Sequence, residues 1–206
     1  MSFRMYVPTR IIFGSGSLNK LSRQKMPGKK ALVVISNGKS TRANGYLDRT
    51  LQALEQAGAE AVVFDKIMAN PLKSTIMEGG VFAREQGCDF IVALGGGSVI
   101  DASKAIAIMA TNEGDLWDYV YGGTGKCQRI GKNPLPVIAI TTTAGTGSEV
   151  DAFSVISNEE TNEKLKIIGD SKDAFLSNVS HEIRTPINAV LGLDEMILVE
   201  SHEKNI

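Results

Sequence analysis

The sequence predicts an α/β fold: a doubly wound, mainly parallel sheet with flanking helices, followed by a C-terminal amphipathic helix. Short apolar runs rich in β-branched residues alternate with segments whose apolar residues recur at helical spacing. This alternation is typical of parallel βαβ units. It is clearest from Asp89 to Ala105, where a buried strand, a glycine turn and a helix follow one another directly.

The predicted elements follow one another in a regular order. Apolar runs predict strands at 6–13, 30–35, 61–64, 89–94 and 134–140. Helical spacing predicts helices at 18–26, 46–57, 73–86 and 99–109. Gly58 closes the second helix, and Asn70-Pro71 breaks the chain before the third.

Composition excludes several classes of protein. Of the 206 residues, 43% are hydrophobic and 22% are charged, and the net charge is −1, which is ordinary for a globular protein and offers no basic surface for nucleic acid. Cys88 and Cys127 are too few for a disulfide framework. No signal peptide and no run long enough to span a bilayer is evident. We therefore expect a soluble, cytoplasmic protein without nucleic-acid or membrane partners.

The glycine turn at Gly95, Gly96 and Gly97 is a candidate phosphate site. Without side chains, its backbone N–H groups lie open at a helix N-terminus, where the partial positive charge of the helix favours an anion. Ser98 adds a hydroxyl donor, and Asp101 lies in the first helical turn. The sequence is not GxGxxG, so a tight turn that only packs the helix against the sheet is the alternative.

Further polar residues fall at the predicted carboxyl ends of other strands. Ser36, Asn70 and the run Thr141 to Thr143 lie there, at the edge where ligands bind in open parallel sheets. The loop that continues Thr141-Thr142-Thr143 to Ser148 is rich in small and hydroxyl residues. Read alone it is a solvated loop, but opposite a glycine turn it is typical of the second wall of a nucleotide cleft.

Two stretches carry a specific resemblance. The stretch from Leu94 to Lys104 (LGGGSVIDASK) and the stretch from Thr141 to Val150 (TTTAGTGSEV) together resemble the iron-containing (group III) alcohol dehydrogenases. Asn70-Pro71 and the stretch 156–161 also lie where that family has similar residues. The resemblance extends from about Val7 to Asp170 and implies a dinucleotide-binding domain at 1–170.

The family resemblance implies a role for several of these residues. Gly96, Gly97 and Ser98 would hold the pyrophosphate of a dinucleotide. The adenine and ribose side would be lined by Thr141, Thr142 and Thr146, and Asn70 and Lys164 match further nucleotide-contacting positions. With these, the predicted cofactor-binding set is completed by Ser36, Gly95 and Asp101.

The same resemblance leaves the cofactor open between NAD and NADP. Many NAD-preferring members carry an aspartate after the strand that ends here at Ile35, where this chain has Ser36-Asn37-Gly38. A carboxylate at that point would repel a 2′-phosphate, so its absence is compatible with NADP.

The family continues into an Asp/His site for iron or zinc and a helical domain. Here the resemblance ends near Asp170, no Asp-x-x-x-His follows, and the two histidines are His181 and His202. Because such a metal needs three or four protein ligands, we expect no metal site, a domain truncated before it, and little turnover by the chain alone.

Residues 171–206 carry a different resemblance. The stretch from Phe175 to Asn188 (FLSNVSHEIRTPIN) resembles the H-box of sensor histidine kinases, in which the histidine matching His181 accepts a phosphoryl group from ATP and the acid matching Glu182 assists proton handling. An apolar stripe at helical spacing would either pair with the same helix of a second chain or fold back on the sheet, and of the two we expect the homodimer. The members of the stripe are Phe175, Val179, Ile183, Ile187, Val190, Met196 and Ile197.

Three hypotheses follow. The chain is the NAD(P)-binding domain of an oxidoreductase, a signalling fragment with His181 as phosphoacceptor, or a fusion of two gene fragments, natural or engineered, without selected activity. The first covers most of the chain, and we rank it first.

Overall fold

Four parallel strands form the central sheet of the computed structural model, which describes residues 9–168. Their order is β2–β1–β3–β5, with β1 at Lys30–Ser36, β2 at Glu60–Ile67, β3 at Phe90–Gly95 and β5 at Val137–Thr141. The predicted α/β fold with a mainly parallel sheet and flanking helices is therefore confirmed. The predicted C-terminal amphipathic helix lies outside the described residues.

Helices cover both faces of this sheet. The α-helices are α1 at Ser40–Ala43, α2 at Tyr46–Gln56, α3 at Lys73–Glu85 and α4 at Gly97–Thr111, with 3-10 helices at Ser17–Arg23 and Leu116–Tyr119. One apolar core packs α3 and α4 against one face, and a second packs the first 3-10 helix and α2 against the other. Strand β1, between two neighbours, has its apolar residues fully buried.

A second, antiparallel sheet was not predicted from the sequence. Its strands are β4 at Val120–Tyr121, β6 at Phe153–Asn158 and β7 at Glu163–Ile168, in the order β4–β7–β6. β6 packs on α4, and Ser157 N–H donates to the carbonyl oxygen of Pro71 at 2.9 Å. This sheet therefore lies beside the carboxyl ends of the parallel strands.

The N-terminal predictions were wrong where the structure describes them. Residues 9–13 of the predicted strand are irregular, with Ile11 66% and Phe13 89% exposed, because no described strand lies beside them to pair with. The predicted helix at 18–26 is the 3-10 helix Ser17–Arg23. It buries Leu21 alone, which is too little apolar surface to support a longer α-helix.

The sheet has a topological switch point between β1 and β3. From β1 the chain crosses to β2 on one side and then returns to β3 on the other side. In open α/β sheets, ligands bind in the crevice beyond the carboxyl ends of the strands at such a point. None of the helices within residues 9–168 is long and apolar enough to cross a membrane.

Candidate functional site

The glycine turn joins the end of β3 directly to helix α4. Gly96 is the residue before the helix, its backbone is extended, and within residues 9–168 no side chain caps the helix here. A Cβ on Gly95 would lie 2.6 Å from Cγ2 of Val99, so glycine is needed for this close approach. The turn therefore presents backbone N–H groups and the positive end of a 15-residue helix.

The second loop packs directly on this turn. Thr142 N–H donates to the carbonyl oxygen of Gly95 at 3.0 Å. A Cβ on Gly96 would lie 2.8 Å from Oγ1 of Thr143, and one on Gly97 would lie 3.3 Å from Cβ of Thr146 and from Oγ of Ser148. The two motifs that lie far apart in the sequence therefore form one surface.

A cavity of about 290 Å³ opens beside the turn. Its lining residues are Asn70, Pro71, Gly97, Ser98, Asp101, Ser148, Val155 and Lys164. They come from the loop after β2, the start of α4, the second loop and the antiparallel sheet. Another groove of about 200 Å³ lies between β2 and α3, away from these strand ends.

Lys164 provides the positive charge of the cavity. Its Nζ donates to Oδ1 of Asn70 at 2.7 Å, and of the described lining residues it alone is cationic. Asn70 adopts the left-handed conformation, with φ of 58°, which asparagine tolerates better than most residues. The loop after β2 is thus turned towards β7 and held there.

Asp101 provides the negative charge. Because α4 begins at Gly97, Asp101 lies after the first turn of the helix and not within it as predicted. Burial raises the pKa of the Asp101 carboxyl, and the nearby Asp151 raises it further. Lys104, the Val155 N–H and the Ser148 hydroxyl act in the opposite direction, but the net pKa lies above the ordinary value. The carboxyl therefore loses its charge at a higher pH than an exposed aspartate does.

The structure brings five of the predicted residues into the cavity: Asn70, Gly97, Ser98, Asp101 and Lys164. The other predicted cofactor residues lie at the same edge of the sheet but do not line the cavity; they are Ser36, Gly95, Gly96, Thr141, Thr142 and Thr146. Ser36 is the last residue of β1, and Gly95 is paired with Thr141 in the ladder between β3 and β5. His181 and Glu182, the proposed phosphoacceptor pair, lie outside the described residues.

Three lining residues were not predicted: Pro71, Ser148 and Val155. Pro71 belongs to the Asn70-Pro71 chain break and Ser148 to the loop after β5, so both lie beside residues that were predicted. Val155 gave none, since it lies on β6, a strand that was not predicted.

Among residues 9–168, no group of three or more histidines, cysteines or acids is placed to hold a metal ion. The donor set of this part of the chain therefore does not fit iron or zinc, each of which needs three or four such ligands.

Comparison with known families agrees with this geometry. The profile of the family "Iron-containing alcohol dehydrogenase" matches residues 8–176. The profile of the "His Kinase A (phospho-acceptor) domain" matches residues 171–205.

Individual relatives show the same likeness. The 1,3-propanediol dehydrogenase of Klebsiella pneumoniae is 42% identical over 175 residues, which is 82% of this chain and 43% of that protein. The structure of NADH-dependent butanol dehydrogenase A from Thermotoga maritima is 31% identical with a TM-score of 0.75, covering 82% of this chain and 42% of that one.

A third relative was solved with a bound nucleotide. Sulfoacetaldehyde reductase from Bifidobacterium kashiwanohense, in complex with NAD+, is 31% identical with a TM-score of 0.72, over 82% of this chain and 44% of its own. The chain therefore spans about two fifths of the length of these relatives. On the match of 8–176, the chain belongs to the iron-containing alcohol dehydrogenase family.

Proposed function

We propose that residues 9–168 bind a nicotinamide dinucleotide, NAD or NADP, as the nucleotide-binding part of an oxidoreductase that acts on alcohols or aldehydes. The observation that carries the proposal is the N-terminus of α4, which no side chain of residues 9–168 caps and which opens through Gly97 and Ser98 into a cavity shared with Lys164. The bound cofactor supplies the hydride acceptor or donor.

The residues of the turn fit a pyrophosphate. The first N–H groups of α4 and its dipole favour an anion, and the Ser98 hydroxyl lines the same cavity. Lys164 adds a cation to the lining of the same cavity. Because Gly96 and Gly97 carry no side chains, a ligand can approach the backbone closely there.

Nucleotide binding by residues 9–168 is proposed without a catalytic metal. Since residues 9–168 lack a fitting donor set, we propose that this domain binds the dinucleotide without a metal and that the chain alone has little turnover.

A matched pair of lysines on β7 tests the proposal. Lys164 lines the cavity, whereas Lys166 on the same strand lies over the ring of Phe153, 5.0 Å from its centroid. We expect calorimetric titration with NADH and NADPH to show saturable binding of at least one of them. Lys164→Met should weaken it about 10- to 100-fold, the usual range for a lost charge-assisted contact.

Lys166→Met removes the same charge outside the cavity and should leave the affinity unchanged. Absence of binding of both nucleotides by the folded wild-type chain, or an equal loss in the two variants, would contradict the proposal.

A second candidate function rests on the match of residues 171–205 to the phosphoacceptor family. In it, a kinase domain supplied in trans transfers the γ-phosphoryl group of ATP to a ring nitrogen of His181. The bond from the γ-phosphorus to its bridging oxygen breaks, ADP leaves, and Glu182 takes the ring proton.

The two histidines of the chain make the test direct. Incubation with ATP and a histidine kinase catalytic domain should give acid-labile phosphate in the wild type and in His202→Gln, but not in His181→Gln. Labelling that survives in His181→Gln would exclude this function.

A further inference from the structure

Lys104 on α4 ties the helix to the chain entering β6. Its side chain is 17% exposed, and its Nζ lies 2.7 Å from Oδ1 of Asp151 and 3.6 Å from Oδ1 of Asp101. The same Nζ donates to the carbonyl oxygen of Asp151 at 3.2 Å and to that of Phe153. One partly buried cation thus contacts both the helix and the neighbouring segment.

Lys104 contacts the segment 148–155, whose end residues, Ser148 and Val155, form one wall of the cavity. Ser148 precedes the contact points and Val155 follows them, and both line the cavity. Val155 N–H donates to Oδ2 of Asp101 at 3.1 Å, and the Ser154 hydroxyl donates to the carbonyl oxygen of Asp101. The position of this wall relative to α4 therefore depends on contacts around Asp101.

The carboxylates of Asp101 and Asp151 both lie close to Lys104 and need its positive charge. The carboxylates of Asp101 and Asp151 are 13% and 8% exposed, and both lie within reach of the Lys104 ammonium group. Without the cation, two poorly solvated like charges would face each other and push the segment away from the helix.

We propose that Lys104 is a positioning residue of the cavity: it holds the wall formed by Ser148 and Val155 against the glycine turn before any ligand arrives. A preformed wall lowers the cost of ordering on binding, so its loss weakens affinity. The effect on affinity rests on the proposed dinucleotide function, whereas the effect on the wall does not.

The test uses the full chain and two readouts. Amide hydrogen exchange of residues 148–155, measured without ligand, shows how firmly the wall is held. Calorimetric titration with NADH measures the affinity of the cavity for the nucleotide. Lys104→Met should speed exchange in this segment and weaken NADH binding about tenfold or more. The control is Arg84→Met, which removes a cation that ties α3 to α4 at the other end, through the carbonyl oxygen of Met109. It should change neither readout.

A charge rescue separates positioning from general destabilisation. In the Lys104→Met background, Asp151→Asn removes one of the two facing charges and keeps an acceptor for the Phe153 N–H. The double variant should therefore bind NADH more tightly than Lys104→Met and show slower exchange in 148–155. If Lys104→Met does not fold, Asp151→Asn alone tests the ion pair between Lys104 and Asp151. This variant should speed amide exchange in residues 148–155.

Two outcomes overturn the proposal. One is unchanged exchange of 148–155 in Lys104→Met or, if that variant does not fold, in Asp151→Asn. The other is a double variant with no recovery in either readout. If the wild-type chain binds no dinucleotide, the proposed function fails, and the exchange measurements alone decide the role of Lys104.

Discussion

Asp89 joins the starts of two neighbouring strands. Its carboxylate accepts hydrogen bonds from the N–H groups of Lys29 and Lys30 at 2.8–3.0 Å. A Cβ on Gly28 would lie 2.2 Å from its Oδ1, so the turn is built around this carboxylate. Partial desolvation raises the pKa of Asp89, but the backbone N–H groups outweigh it and the pKa lies below its usual value.

This lowered pKa predicts a pH dependence of stability. The contribution of Asp89 is fully present above its unfolded pKa of about 4 and is lost as the pH falls through the lower folded-state pKa. Asp89→Asn should therefore lower the free energy of unfolding by less than about 1 kcal/mol at pH 7, since the exposed carboxylate is screened by water, and by still less at pH 3, in urea titrations. Asp48→Asn, at an exposed position on α2, is the control; an equal loss at both pH values would refute this role.

Gly97 predicts a sharp effect on binding. A Cβ there meets Thr146 and Ser148 at 3.3 Å, so the branched side chain of Gly97→Val would push the second loop away and obstruct the approach of a pyrophosphate. NADH affinity should fall at least about tenfold, or 1.4 kcal/mol, by calorimetry. Gly131→Val, in an exposed loop, should bind normally. A folded Gly97→Val with wild-type affinity would mean that the turn is only structural.

At the scale of elements, Lys73 joins three parts of the fold. It lies on α3, its side chain is 11% exposed, and its Nζ contacts Oδ2 of Asp115 at 2.9 Å and Oε2 of Glu160 at 3.0 Å. Asp115 precedes the second 3-10 helix, and Glu160 lies in the turn between β6 and β7. The antiparallel sheet is thereby fastened to α3.

Lys73→Met should lower the free energy of unfolding by about 1–2 kcal/mol, less than for a fully buried pair because both acids are partly exposed. Lys66→Met, which breaks an exposed pair with Glu78, should cost less than about 1 kcal/mol. Urea titration of both variants measures the difference. Equal effects would show that the contacts of Lys73 add nothing beyond a surface pair.

The elements that sequence reasoning predicted well are those with strong local patterns. The continuous apolar run of β1 and the turn between β3 and α4 are set by neighbouring residues, and both lie within one or two residues of expectation. β7 carried a weaker signal, the alternation of Lys164 and Lys166 with Leu165 and Ile167, which was not recognised. The apolar run at 9–13 gave a wrong strand prediction, because a strand requires a neighbouring strand to pair with, which a local pattern does not reveal.

The same limit applies to the candidate site. Gly97 and Ser98 could be predicted, since a glycine turn before a helix has a chemical meaning of its own. The roles of Val155 and Lys104 could not be predicted, because they depend on contacts between α4 and a segment more than 40 residues away in the sequence.

At the scale of the whole molecule, we propose that the apolar stripe in 171–206 joins two copies of the chain. The stripe is too extensive an apolar pattern to leave in water; its members are Phe175, Val179, Ile183, Ile187, Val190, Met196 and Ile197. Sedimentation velocity should show a dimer for the wild type and for Ser201→Glu, outside the stripe. The double variant Val179→Glu/Ile183→Glu should be monomeric. A monomeric wild type, or a dimer in all three proteins, would contradict the proposal.

The most direct test of dinucleotide binding by residues 9–168 is an NADH titration followed by the backbone amide signals of the full chain. Binding at the start of α4 predicts saturable chemical-shift changes at Gly96, Gly97 and Ser98, with smaller ones in the second loop. Residues of the groove between β2 and α3, such as Val81 and Glu85, should not change. Changes confined to that groove, or none at saturating NADH and NADPH, would contradict the account.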